Sequence, residues 1–158
     1  MELDRIDRDL LLALQDDGRR TVKELAARVD LSPSATHARV QRLRDSGVIT
    51  GFHAALDPAE IGVGLQAVIQ VFLQRHSREA LAGFRAHSLR LPEVVAVTHL
   101  TGSVDFLVHV AVRDIDHLRK LALDAFTTRE EVSRIETAIV YEHVATTGWP
   151  VYEGSGGR

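Results

Sequence analysis

Cysteine is absent from all 158 residues. That absence excludes disulfide frameworks, thiolate zinc sites and cysteine nucleophiles together, and leaves only histidine and carboxylates to hold any metal. Long apolar runs are also lacking. Stretches such as Val94–Val97 fall far short of the 18 or more uninterrupted apolar residues a membrane span needs. The first seven residues, Met1-Glu2-Leu3-Asp4-Arg5-Ile6-Asp7, alternate charge with apolar side chains. They have neither the basic start nor the apolar stretch of a secretory signal, so a cytoplasmic location is expected. The eight histidines, at 37, 53, 76, 87, 99, 109, 117 and 143, form no His-x-x-x-His pair. His99 and His109 flank one hairpin and could approach across it, but surface or interface imidazoles are the simpler reading, so no metal is expected. No serine-nucleophile elbow or phosphate loop is present, and neither enzyme activity nor a cofactor is expected.

A net positive charge is missing too, the formal sum being -3. An average over a whole chain conceals local patches. Between Arg19 and Arg44 the balance is +5, whereas residues 51–158 sum to -3. Positive potential is confined to the N-terminal third, and the two parts are expected to have different partners.

What the sequence does contain begins with three short helices. Ile6, Leu10, Leu11 and Leu14 recur at helical spacing within Asp4–Asp16. Thr21-Val22-Lys23-Glu24 has the form of a capping box, and Leu25, Ala26 and Val29 give the second helix its buried stripe. Asp30-Leu31 interrupts the pattern, and Ser32-Pro33-Ser34 restarts it with a strong N-cap and a proline suited to the first turn. The third helix ends near Gly47. It buries Thr36, Val40 and Leu43, leaving Ser34, Ala35, Ala38, Gln41 and Arg42 outward with His37 and Arg39 on the flanks. Val48–Leu56 reads as a strand and Asp57–Gly62 as a turn.

Beyond that linker the order is β-α-β-β-α-β. Alternation over Leu65–Gln74, a helix over Ser77–Leu91, strands at Val94–Thr101 and Val104–Val112 about a Gly102-Ser103 turn, a helix capped by Asp114 that runs to Phe126, and a final strand Val132–Val144 specify a ferredoxin-like unit. Both sheet faces carry apolar side chains. Phe106, Val108 and Val110 suit the helices, while Val68, Phe72, Leu107 and Ala111 face the other way. Two helices cover one face only, so the second implies pairing with another copy. The stretch Gly62-Val63-Gly64-Leu65-Gln66-Ala67 fits a dinucleotide fingerprint in letters, but it opens a strand where that fingerprint must open a helix.

The second and third helices, joined by the Asp30-Leu31-Ser32 turn, form a helix-turn-helix that can insert its second helix into the major groove of double-stranded DNA. Ser32, Ser34, Ala35, His37, Ala38, Arg39, Arg42 and Arg44 are the expected DNA-contacting set. The arginines suit phosphates or guanine, and the small and polar residues near the helix start can approach base edges. The bland alternative is a three-helix bundle with a solvated arginine face.

Leu3-Asp4-Arg5-Ile6-Asp7-Arg8-Asp9-Leu10, Asp17-Gly18-Arg19, Leu25-Ala26, Leu31-Ser32-Pro33-Ser34, Arg39-Val40-Gln41-Arg42-Leu43, Gly47-Val48-Ile49-Thr50-Gly51-Phe52 and Thr101-Gly102-Ser103-Val104-Asp105-Phe106 together resemble the Lrp/AsnC (leucine- and asparagine-responsive, feast/famine) transcriptional regulators. The resemblance covers nearly all of the chain to about Val144. It implies an α+β protein: a helix-turn-helix (winged-helix-like) domain over 1–50, a linker over 51–63, a ferredoxin-like βαββαβ effector and oligomerisation domain over 64–148, and a tail over 149–158. It further implies dimers that assemble into larger oligomers, often octamers, with amino-acid effectors bound between dimers near the hairpin. By position, His99, Thr101, Gly102, Ser103, Val104 and Asp105 would line that pocket, with Thr137 and Ile139 contributing from the last strand. A common family form of the turn is Gly-Asp-aromatic-Asp. Gly102 and Asp105 match it, while Ser103 and Val104 replace the acidic and aromatic residues. The rival reading is a ferredoxin-like oligomeric enzyme or metal-binding protein whose helical N-terminus does not bind DNA.

Overall fold

A computed structural model describes residues 2–146 and 148–152. They fall into two compact units, one drawn from Met1–Ala55 and Val144–Arg158, the other from Leu56–His143. The Gly/Ser-rich end of the tail, after Glu153, lies outside the described residues.

In the first unit, α1 (Arg5–Asp16), α2 (Val22–Val29) and α3 (Pro33–Asp45) form the helical cluster. Each start has a chemical cause. Asp4 caps α1 and closes a capping box with Asp7, Thr21 does so for α2 with Glu24, and Ser32 caps α3 ahead of Pro33. The Thr21 amide, and then the Thr21 hydroxyl, hold the Glu24 carboxyl below its ordinary range. Asp30 ends α2 in the left-handed conformation, with φ of 55°. Leu10, Ala13 and Leu25 make the core, with Ile6, Leu14, Val29 and Val40 packed against it.

The expected strand over 48–56 is not formed: residues 50–57 belong to no regular element. A strand requires a partner ladder, and this segment folds back locally instead. The Ile49 amide bonds to the Leu43 carbonyl at 3.1 Å, and the Phe52 ring packs over Gly18. Residues 144–146 and 148–152 group with this unit as well. The Gln15 side chain donates to the Trp149 carbonyl at 3.1 Å and accepts the Trp149 amide.

The second unit has β1 (Leu65–Leu73), α4 (Arg78–Ser88), β2 (Val94–His99), β3 (Phe106–Val112), α5 (Ile115–Leu121) and β4 (Val132–Ile139). Its antiparallel sheet runs β2-β3-β1-β4, the ferredoxin-like arrangement expected. Ala67, Ile69, Val71, Phe106, Val108 and Val110 are buried together with the helix residues Phe84, Leu118 and Phe126. The Phe84 ring lies 4.8 Å from Phe106 and 6.1 Å from Phe126, and each such buried ring contributes about 1.5–3 kcal/mol.

Two helix and strand ends depart from the sequence pattern. The helix capped by Asp114 widens after Leu121 into a π-helical segment, Ala122–Thr127. His87 bonds to the Ala125 carbonyl at 2.8 Å, and the Thr127 and Thr128 hydroxyls take the carbonyls of Leu123 and Asp124. The final strand stops at Ile139 rather than Val144; its ladder partner β1 begins at Leu65, which the register sets opposite Tyr141, so no pairing reaches Val144. Gly64 precedes that start, where any Cβ would collide with the Arg113 carbonyl. Close backbone approach, not a dinucleotide, accounts for this glycine. Among the described residues, no helix is long and apolar enough to cross a membrane, and no group of three or more His, Asp or Glu side chains could hold a metal.

Candidate nucleic-acid interface and ligand hairpin

The α2–α3 turn sets the position of α3. With Asp30 left-handed, the Leu31 amide returns to the Ala26 carbonyl at 3.1 Å, and Ser32 Oγ then accepts the Ala35 amide at 3.2 Å while lying 3.1 Å from Ser34 Oγ. Thr36 and Leu43 are fully buried beneath the helix. Ser32, Ser34, Ala35, His37, Ala38 and Arg44 are exposed. His37 and Arg44 are seven residues apart and therefore share one flank.

On the other flank Arg39 is partly buried and Arg42 is half exposed, yet the guanidinium groups of both reach α1. Arg39 Nη1 donates to Asp4 Oδ2 at 2.6 Å and to Asp7 Oδ1 at 2.9 Å. Arg42 Nη2 donates to both Asp7 oxygens at 2.7 Å. Asp7 is only 1% exposed, so its charge requires such partners. The Asp4 bond, and then Asp7, raise the Arg39 pKa, while the Asp7 amide and then Arg39 lower that of Asp4. Two of the cations in the basic window are thus matched by acids that precede it. A sequence signal existed, since Asp7 lies three and four residues before Leu10 and Leu11 on the apolar stripe of α1.

At the far end of the sheet, β2 and β3 close through residues 100–105. Gly102 has φ of 123°, a conformation suited to glycine, and Thr101 and Ser103 beside it are exposed. His99 stacks on Phe106 with ring centroids 4.7 Å apart. Val104 is half-buried. Asp105 is already engaged: Oδ2 accepts the Leu73 amide at 2.8 Å, Oδ1 lies 2.8 Å from His76 Nε2, and the side chain is 13% exposed. Thr137 and Ile139 pair with Ile69 and Ala67 on the edge strand β4. That strand lies three positions from β2, about 14 Å at about 4.8 Å per strand. One chain therefore groups His99 with residues 101–105 but does not bring Thr137 and Ile139 to them.

His99 and His109 do not meet across the hairpin. His99 pairs with Phe106 on the helix-covered face, whereas His109 pairs with Val68 on the opposite face. His109 instead bonds to Gln66 Oε1 at 2.9 Å and lies 5.1 Å from the His143 ring. Burial, and then His143, lower its pKa. On that uncovered face Val68 and Leu107 remain half-buried, but Phe72 is covered by the Arg134 guanidinium 3.5 Å from its ring centre. A separate open cleft of about 270 Å³, lined by residues that include Asp57, Val63, Gln66, Tyr141 and His143, contains none of the expected effector residues.

Comparison with known proteins gives the same two-part division. A family described as winged helix-turn-helix DNA-binding matches residues 3–50, and the Lrp/AsnC ligand binding domain matches residues 66–150. The chain is 43% identical over 143 residues to the HTH-type transcriptional regulator AldR of Mycolicibacterium smegmatis, spanning 90% of this chain and 84% of that protein. It is 34% identical over 147 residues to the proline dehydrogenase transcriptional activator of Rhizobium radiobacter, spanning 93% and 94%. A transcriptional regulator from Neisseria meningitidis, solved as an L-Met complex, superposes with a TM-score of 0.83 at 33% identity over 91% of this chain and 93% of that one.

Proposed function

The chain belongs to the Lrp/AsnC family of DNA-binding transcriptional regulators, and from that membership we propose that it reads duplex DNA with the exposed face of α3 under the control of a small amino acid bound at the 99–105 hairpin. The observation that carries the DNA assignment is the presentation of Ser34, Ala35, His37 and Ala38 at the start of a capped helix, with Arg44 farther along. Small and polar side chains there allow close approach to base edges, and a cation on the flank suits phosphate.

The L-Met complex of the Neisseria relative supports an amino acid as the ligand class. Exposed hydroxyls and turn amides at Thr101, Gly102 and Ser103 suit a carboxylate. Thr137 and Ile139 contribute from a second copy, since within one chain they lie too far away. Homo-oligomers, dimers first and octamers beyond them, bring such copies together, and the half-buried Val68 and Leu107 favour sheet-to-sheet pairing.

Two measurements test this reading. Fluorescence anisotropy with labelled duplexes should show binding that weakens linearly in log-log form as salt rises. A thermal-shift panel of the twenty amino acids should single out the effector, because a ligand at about 100 times its Kd stabilises the native state by about 2.7 kcal/mol. Absence of salt-dependent duplex binding overturns the DNA assignment, and a flat panel overturns the amino-acid one.

A further inference from the structure

We propose that Asp7 is a positioning residue that withholds Arg39 and Arg42 from phosphate and thereby limits binding to DNA of unrelated sequence; the inference rests on α3 being the DNA-reading helix. Asp7 is buried at the start of α1, and both its oxygens are occupied by guanidinium donors from α3. Arg39 is held a second time by Asp4. The ion pairs therefore join the first turn of α1 to the middle of α3, across 32 to 35 residues of sequence.

The geometry separates two kinds of cation. Arg44 and Arg42 are both exposed, but among the described residues Arg44 makes no ion pair, whereas Arg42 and the partly buried Arg39 do. Arg39 and Arg42 share their charge with Asp4 and Asp7, so a phosphate approaching them also meets the carboxylates. Nonspecific affinity comes almost entirely from counterions released as phosphates are neutralised. A recognition helix with all its arginines free would hold any duplex tightly, whatever its sequence. Committing two of them to α1 lowers that background and leaves base-edge contacts at Ser34, Ala35, His37 and Ala38 a larger share of the discrimination. The same bonds fix the rotation of α3 about its axis, which decides which of those side chains enters the groove.

The experiment compares full-length wild type with Asp7→Asn, Asp4→Asn and Arg42→Gln, each checked by circular dichroism and thermal melting. Salt titrations use a random-sequence duplex and a duplex selected by the wild type from a random pool. Asp7→Asn keeps the shape and removes the charge. It should raise random-duplex affinity about tenfold near 0.1 M salt, steepen the slope of log K against log salt by about 1 to 2, and lower the ratio of selected to random affinity. Asp4→Asn, whose carboxylate is half exposed, should shift the same quantities less. Arg42→Gln should leave the random-duplex slope unchanged. A slope reduced by about 1 in Arg42→Gln would show that Arg42 neutralises a phosphate, and an unchanged slope in folded Asp7→Asn would show that nothing was withheld; either result overturns the inference. If Asp7→Asn fails to fold, Asp4→Asn and Arg42→Gln decide. Wild type without salt-dependent duplex binding would instead remove the underlying DNA assignment.

Discussion

Asp105 Oδ2 accepts the amide of Leu73 at 2.8 Å, across 32 residues of sequence, and so joins the start of β3 to the end of β1. Together with the Asp105 amide on the Val71 carbonyl and the Leu100 amide on the Asp105 carbonyl, it fixes the base of the hairpin. Replacing Asp105 with Ala leaves a half-buried donor unpaired and should cost about 1.5–3 kcal/mol in a urea melt. Asp105→Asn retains an acceptor and should recover much of that loss. If the carboxylate were held for an effector's ammonium group instead, both variants would lose ligand affinity in calorimetry while melting like the wild type.

The exposed flank of α3 gives a second expectation. Arg44→Ala should weaken binding to all duplexes alike and reduce the salt slope by about 1, while His37→Ala should mainly reduce discrimination between selected and random duplexes. Neither side chain is buried, so melting temperatures should stay at the wild-type value. Anisotropy titrations at several salt concentrations read both effects.

The sheet face left open by the helices bears Val68 and Leu107 side by side with Gln70 and His109. Val68→Glu places a charge in the middle of that face. If two copies pair there, sedimentation velocity should show a shift to smaller species, because an unpaired buried charge costs several kcal/mol. The same substitution on a solvated face would change nothing.

His109 supplies a pH dependence. Its folded pKa lies below the ordinary 6.5 because of burial, with His143 adding to the effect. The unfolded chain therefore takes up the proton first as pH falls. Stability is complete above about 6.5 and is lost as pH falls through the folded value. His109→Gln, which keeps a partner for Gln66, should flatten this part of the stability–pH curve. The comparison is made by urea melts of both proteins between about pH 7.5 and 5.

Thr36 is fully buried, and its hydroxyl has no hydrogen-bond partner among the described residues. Valine has the same shape without the unsatisfied polar atom. Thr36→Val should raise the stability of the helical unit by about 1 kcal/mol, measured by thermal melting.

Features fixed by neighbours in sequence were legible. The Thr21–Glu24 capping box, the Ser32-Pro33 helix start and the two-residue alternation of β1 each follow from side-chain chemistry acting over a few positions. Features that depend on long-range pairing were not. The pairing of Arg39 and Arg42 with Asp7 went unread because that partner lies more than 30 residues earlier, although a carboxylate on the apolar stripe of α1 already demanded a cation. Asp105 read as an effector-pocket carboxylate with no partner inside the chain, because nothing near it in sequence announces the Leu73 amide. Val48–Leu56 has strand composition, but composition supplies no ladder partner. His99 and His109 flank one turn, yet which sheet face each occupies depends on register, and register placed them on opposite sides.

The grip of Gln15 on both backbone groups of Trp149 gives the C-terminal segment an unexpected address. By sequence it follows the sensor, but it is fastened to the first helix of the DNA-reading unit. A purification tag fused there, or a truncation before Val144, therefore perturbs α1, the helix whose acids hold Arg39 and Arg42. Altered DNA binding by a tagged or trimmed protein reports on that anchorage before it reports on the sensor.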